Sequence, residues 1–280
     1  VLEVRNVSFA YRRGRPVLHD VSLTVGAGEF VAIAGRNGSG KTTLTRLIMS
    51  LIKPDSGAVL VDGQDTRKAT PADMARHIGY VFQNPDRQIF RETVTQEVAF
   101  GPEQLGLAPA ETKARVAEAL ALTGISDLAD AYPATLTKGQ KQRVAIASAL
   151  ALKPRMLILD EPTSGQDAVE REALLKLLTG LCRQGLAVLL ITHDMEILAR
   201  YVERAVVIAD GRKVFDGAVT ELFSGRYPVG IWGLCQPTAA IISREIGIFG
   251  GKTVVTVDEL CTNLLKLARG DGYGKTGPTH

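Results

Sequence analysis

The sequence predicts an α/β protein with a mixed-sheet core, an antiparallel β subdomain at the N-terminus, an inserted helical subdomain and a small C-terminal extension. Three observations predict it. Two continuous apolar runs of strand length, "FVAIAG" from Phe30 to Gly35 and "MLILD" from Met156 to Asp160, read as strands covered on both faces. A helix-rich stretch of about 85–152 separates them, and the segment before Phe30 is rich in strand formers.

Taken in order, "FVAIAG" is followed by the apolar-periodic "LTRLIMSLI", a helix. Within the helical stretch, "PAETKARVAEALALTG" carries Pro109 at its start and Gly124 at its stop, the asymmetry expected of helix ends. "RAVVIADGRKVFDG" places two short apolar runs around Asp210-Gly211 and predicts a hairpin. Beyond Phe223 this regularity fades, with helices expected at Thr238 to Ile246 and Val257 to Arg269. The expected organisation is a main domain over 1–223, an accessory unit over 224–270 and a polar, glycine-rich flexible tail over 271–280.

Composition excludes several classes. A formal charge of +3 and 45% hydrophobic residues, with acids and bases interleaved, give no basic block for nucleic acid, so no nucleic-acid partner is expected. Cys182, Cys235 and Cys261 lie far apart, outside any zinc-ligand spacing, and are expected to be reduced and buried. No apolar run approaches the roughly 20 residues of a spanning helix, so any membrane role requires a partner. The opening "VLEVRNVSF" has no basic-then-apolar leader, and the missing initiator Met suggests a trimmed or excised piece.

The chemistry is carried by "GRNGSGKTT", which satisfies G-x-x-x-x-G-K-[ST] at Gly35, Gly40, Lys41 and Thr42 between a buried strand and a helix. In that pattern the backbone N–H groups curl around phosphate, Lys41 supplies a cation and Thr42 offers a hydroxyl to Mg²⁺. Asn37, Gly38, Ser39 and Thr43 complete the phosphate-binding set. Phosphate binding alone hydrolyses nothing. The strand-end pair Asp160 and Glu161 supplies one carboxylate to hold Mg²⁺ and another to act as general base or to position water.

At this point the residues resemble an ATP-binding-cassette (ABC) ATPase over roughly Leu2 to Phe223, with the motifs in that family's order. The resemblance implies a P-loop NTPase nucleotide-binding domain that uses ATP and Mg²⁺. It implies that Tyr11 stacks on adenine, that Gln83 in "YVFQNP" touches magnesium and couples to a membrane partner, and that Thr42, Gln83 and Asp160 form the Mg²⁺ set. Glu161 is then the catalytic acid and His193, in "ITHD", the switch histidine at the γ-phosphate. Ser164, Gly165, Gln166 and Asp167 form the loop that crosses to the other subunit.

Leu136, Thr137, Lys138, Gly139 and Gln140 stand where the family carries the Leu-Ser-Gly-Gly-Gln signature, which docks on nucleotide held by the partner subunit. Lys138 replaces a glycine. A positive φ there would cost on the order of 1 kcal/mol and weaken the half-site; a negative φ would place an extra cation near phosphate without strain. The second is favoured because the rest of the loop and Glu161 are intact.

Residues 82–107, "FQNPDRQIFRETVTQEVAFGPEQLGL", together with Gln166, narrow the resemblance to the ATPase subunits of energy-coupling-factor (ECF) transporters. Those proteins import vitamins or cobalt and nickel in bacteria and archaea. The implied partners are a second ABC ATPase subunit, alike or paralogous, a transmembrane coupling protein seated near Ile89 and Phe90, and a separate substrate-binding membrane protein. The implied location is the cytoplasmic face of the membrane. The alternatives are a soluble ABC ATPase attached to no transporter and a low-turnover regulatory half of a heterodimer.

Overall fold

The computed structural model describes residues 1–12, 14–247 and 253–269; the tail expected over 271–280 lies outside them. The chain begins with two long antiparallel strands, β1 (Leu2–Arg12) and β2 (Arg15–Val25). The apolar run at Phe30 follows as β3 (Phe30–Ala34), buried at every position, and leads into α1 (Lys41–Ile48). β4 (Ser56–Val61) and β5 (Gln64–Asp65) complete an antiparallel sheet in the order β2-β1-β4-β5.

After α2 (Pro71–Ala75), whose Thr70 and Asp73 form a reciprocal capping box, β6 (Ile78–Val81) enters the second sheet. The helical subdomain comprises α3 (Val94–Gln104), α4 (Pro109–Thr123) and α5 (Lys138–Leu150). Pro109 opens α4, and Gly124 closes it with φ 68°. The core then resumes with β7 (Met156–Asp160), α6 (Ala168–Arg183), β8 (Ala187–Ile191), α7 (Met195–Tyr201) and the hairpin β9 (Arg204–Ala209) and β10 (Arg212–Ala218). A short α8 (Val219–Leu222), α9 (Thr238–Ile246) and α10 (Val257–Ala268) finish the described chain.

The second sheet has the order β10-β9-β3-β8-β7-β6, parallel except for the β9–β10 hairpin at one edge. Because side chains alternate along a strand, its two faces feed two cores. Ala32, Leu157, Leu159, Val188 and Leu190 face the cluster that includes Leu174, Leu178 and Leu198 of α6 and α7. Val31, Ile33, Ile158, Leu189 and Ile191 face α1 and the inner side of the antiparallel sheet. Helices on one face and a sheet on the other explain why β3 and β8 are apolar at every position.

The helical subdomain has its own small core, built from Val94, Val98, Val116, Leu120 and Val144. α5 belongs to both units, turning Val144 and Ala147 to that core and Ala145, Ile146 and Ala149 to the sheet. Beyond Ser224, Val229, Leu234, Ala240 and Val255 are buried in the main core; among the described residues Ala239, Val254 and Leu260, with the partly buried Leu264 and Leu267, form a small separate cluster. So small a cluster supplies little burial of its own. This explains a difference from the expectation for the cysteines: Cys182 is buried on α6, but Cys235 and Cys261 are exposed because the C-terminal segment has too little interior to hold them.

α5 approaches β6 across Gly79, where a Cβ would lie 2.6 Å from Leu157 Cδ2 and 2.8 Å from Ala149 Cβ. Gly79→Ala is expected to destabilise the fold by about 1–3 kcal/mol through overpacking, read as a lower urea midpoint with an unchanged slope.

Candidate functional site

The site forms at the carboxyl ends of four adjacent parallel strands. Gly35 follows β3, and Lys41 opens α1, whose N-cap Gly40 offers no side-chain acceptor. The first-turn N–H groups of α1 therefore remain available to an anion. The cleft encloses about 530 Å³ and is lined by Asn37, Gly38, Gly40, Lys41, Thr42 and Thr43 on one side and by Gln83, Asp160 and Glu161 on the other. Ser39 is buried beneath the loop, and its hydroxyl oxygen has no partner among the described residues.

Lys41 Nζ donates to the carbonyl oxygens of Gly35 at 2.7 Å and Arg36 at 2.9 Å, curling back over its own loop. Burial lowers its pKa, while Glu161 and Asp160 pull the other way. Asp160 is the counterpart: burial raises its pKa, the neighbouring Glu161 adds to this, and a hydrogen bond from Tyr80 opposes both. Tyr80 Oη donates to Asp160 Oδ2 at 3.3 Å, and burial pushes the phenol up to about 12. The phenol thus stays a donor at neutral pH.

Glu161 is held from two sides. Gln83 Nε2 donates to its Oε2 at 2.8 Å, and His193 Nδ1 lies 2.8 Å from its Oε1. An ionised carboxylate only accepts, so this contact places the proton on His193 Nδ1. Glu161 adopts φ 45°, left-handed for a residue with a side chain, and its N–H donates to Ile191 O at 2.9 Å. Such strain, of order 1–3 kcal/mol, persists where surrounding contacts over-determine it. His193 is aimed by its neighbours: Asp194 N–H donates to Thr192 Oγ1, while Asp194 Oδ1 caps α7 by accepting from Glu196 and Ile197.

Tyr11 stands beside the loop with its ring 51% exposed. Its hydroxyl receives Arg46 Nη1 at 3.1 Å and lies 3.4 Å from Thr43 Oγ1, and its ring meets Phe9 edge to face. The exposed face can accept a flat aromatic base.

The signature residues lie elsewhere, at the start of α5, and do not line this cleft. Lys138 is the first helical residue and is absent from the positive-φ set, so it carries no backbone strain. Thr137 and Gln140 cap each other: Gln140 N–H donates to Thr137 Oγ1, and Thr137 N–H to Gln140 Oε1. Leu136 is half-buried against the helical subdomain's core. In the loop 164–167, Ser164 N–H donates to Glu161 O, Asp167 Oδ1 caps α6 through Glu170 N–H, and Gln166 Oε1 is buried without a partner among the described residues.

Tyr80 and Glu170 escape sequence reasoning. Tyr80 belongs to β6 three residues before Gln83, and a half-buried tyrosine needs an acceptor, which was the available signal. Glu170 follows Asp167 in the D-x-x-E spacing of a capping box, yet its side chain turns to Thr137 Oγ1, which donates to Glu170 Oε1 at 3.2 Å.

The architecture and the phosphate cleft define a P-loop ATPase of the ABC type, and the ABC transporter family profile matches residues 18–164. The chain belongs to that family. It is 42% identical over 260 residues to a putative ABC transporter ATP-binding protein of Pyrococcus furiosus, covering 93% of this chain and 98% of that one. It is 38% identical over 275 residues to the energy-coupling factor transporter ATP-binding protein EcfA of Methanothermobacter thermautotrophicus, covering 97% and 88% of the two chains. Among solved structures it resembles cbiO1 of Clostridium perfringens, described as part of the ABC transporter complex cbiONQ. That match has a TM-score of 0.76 at 36% identity, over 81% of this chain and 91% of that one.

Lys41→Ala removes the one side-chain cation that lines the cleft among the described residues. It is expected to weaken binding of a fluorescent ATP analogue about 10–100-fold while leaving the unfolding midpoint nearly unchanged.

Proposed function

We propose that this chain is the ATP-hydrolysing subunit of an energy-coupling-factor ABC transporter and powers uptake of a micronutrient, a vitamin or a cobalt or nickel ion. The observation that carries the hydrolytic part is Glu161, held at 2.8 Å by both Gln83 and His193 at the mouth of the phosphate cleft. A carboxylate held this way is aimed to orient or deprotonate a water at the γ-phosphate. The resemblance to EcfA and to cbiO1 supports the transport part.

Mg²⁺ fits the donor set as a cofactor brought by nucleotide. Among the described residues no group of three or more His, Cys, Asp and Glu side chains converges on a metal position. Thr42, Gln83 and Asp160 do line one cleft, and Mg²⁺ is commonly held by one or two protein oxygens plus phosphates and water. Bound there, it would neutralise charge on the phosphates and relieve the desolvated Asp160. In this reading Thr42, Gln83 and Asp160 would hold the ion, Lys41 would leave its carbonyls for phosphate, and His193 would contact the γ-phosphate.

The cassette works as a pair. The cleft is open and the signature residues Leu136 to Gln140 stand apart from it, so a second copy or a paralogue must bring its own signature to this nucleotide. The loop Ser164 to Asp167 lies between them and crosses to the partner. ATP closes the dimer and hydrolysis opens it.

The membrane partner docks beside Gln83. Phe90 is 62% exposed there, and Ile89 is half-buried. Arg91 packs its guanidinium over Phe90 and Phe100, and the buried Glu97 accepts the N–H groups of Phe90 and Arg91 at 3.0 Å. A fixed apolar ledge with one cation suits an apolar helix end carrying an acceptor. Among the described residues no helix is long and apolar enough to cross a membrane, so the substrate path belongs to the partners. The chain works at the cytoplasmic face in this reading.

ATP hydrolysis measured with and without the co-purified membrane partner tests the reading. Glu161→Gln is expected to lower turnover about 10²–10⁴-fold with ATP binding retained. A chain that purifies from membranes with no transmembrane protein, and hydrolyses ATP at the same rate without one, would exclude the transport role.

A further inference from the structure

One side chain of α6 lies over this chain's own signature, and one side chain of the signature lies over the crossing loop. The Glu170 carboxylate covers Gly139 so closely that a Cβ there would stand 2.6 Å from both of its oxygens. The same carboxylate accepts the hydroxyl of Thr137 at 3.2 Å. Lys138 reaches away from that helix end, its Nζ lying over Gly165 of the crossing loop, where a Cβ would stand 2.7 Å from it. Gly139 is buried although it belongs to the docking segment, because α6 holds Glu170 upon it.

Glu170 is held in this position. Its backbone N–H is fixed by Asp167 Oδ1 at 2.8 Å, in the first turn of a helix of 16 residues whose Leu174 and Leu178 are buried in the main core. An acid at the N-terminal end of α5 is favoured by the helix dipole. A phosphate arriving from another subunit has the same sign and seeks the same end of the helix.

We propose that Glu170 is a positioning residue of the signature. Its carboxylate occupies, as an internal anion, the end of α5 on which the nucleotide of a second copy docks, and it sets the ATP concentration at which the two copies close. Closure requires Glu170 to leave Gly139 and release Thr137 Oγ1 to the incoming phosphate. Lys138 is the opposing charge, free to swing from Gly165 toward that phosphate once the acid has moved. The inference rests on the dimer reading given above.

The test is Mg-ATP-driven dimerisation of the full chain, followed by light scattering in a Glu161→Gln background that binds without turnover. Glu170→Gln keeps the size and an acceptor oxygen for Thr137 but removes the charge. It is expected to lower the half-saturating ATP about three- to tenfold at low salt, with most of the difference lost at about 0.5 M salt. Glu170→Asp, charged but shorter, is expected to fall between the two. Glu172→Gln makes the same change of net charge on the same helix, at a residue paired with Lys176 at 2.8 Å, and is expected to leave the midpoint where it was. A Glu170→Gln midpoint that stays or rises overturns the inference, as does a fall that salt leaves untouched. If the Glu161→Gln chain forms no ATP-dependent dimer under any condition, the dimer reading fails and the inference with it.

Discussion

The constraint on which the rest depends is the parallel register of β6, β7, β8 and β3. Val81 pairs with Leu159, Asp160 with Ile191, and Ile33 with Ile191 from the other side. Gln83 after β6, Asp160 and Glu161 at the end of β7, His193 after β8 and Gly35, which opens the phosphate loop after β3, then all fall within two residues of the last paired position. Slipping one strand by one residue would turn its apolar face outward and dismantle the cleft together with the core. The cost of mispairing the core thus protects the geometry of the chemistry.

The same register accounts for the strained conformation of Glu161. The chain must turn immediately after β7 for its N–H to reach Ile191 O, and that turn carries the carboxylate back between Gln83 and His193. The three side chains come from three strand ends with no sequence proximity. Their convergence is a property of the sheet, and a change at any of the ends would be felt by the other two.

Much of this was legible in the sequence because it depends on local pattern. The phosphate loop between an apolar strand and a periodic helix, the buried strand ending in Asp160-Glu161, the hairpin around Asp210-Gly211 and the helix bounded by Pro109 and Gly124 all appear where their residues predict. What was not legible depends on tertiary approach. Nothing near Glu170 in the chain marks it as a neighbour of Gly139, 31 positions earlier, and its spacing from Asp167 suggests a different bond. Tyr80 meets Asp160 only because β6 lies beside β7. The exposure of Cys235 and Cys261 follows from how thinly the last segment covers the core, which composition does not report.

The electrostatics of the cleft is the last step. Burial disfavours the charges of both Lys41 and Asp160, lowering the first pKa and raising the second. A carboxyl whose folded pKa is raised above its unfolded value destabilises the fold at pH above both values, and this cost is relieved as pH falls through the folded pKa. The cleft therefore holds two groups whose charged forms burial disfavours and which its own residues only partly compensate. Tyr80 offsets part of the cost at Asp160, and the carbonyls of Gly35 and Arg36 do so at Lys41. Phosphate opposite Lys41 and a divalent cation opposite Asp160 would complete both at once, so ligand binding and local stability rise together.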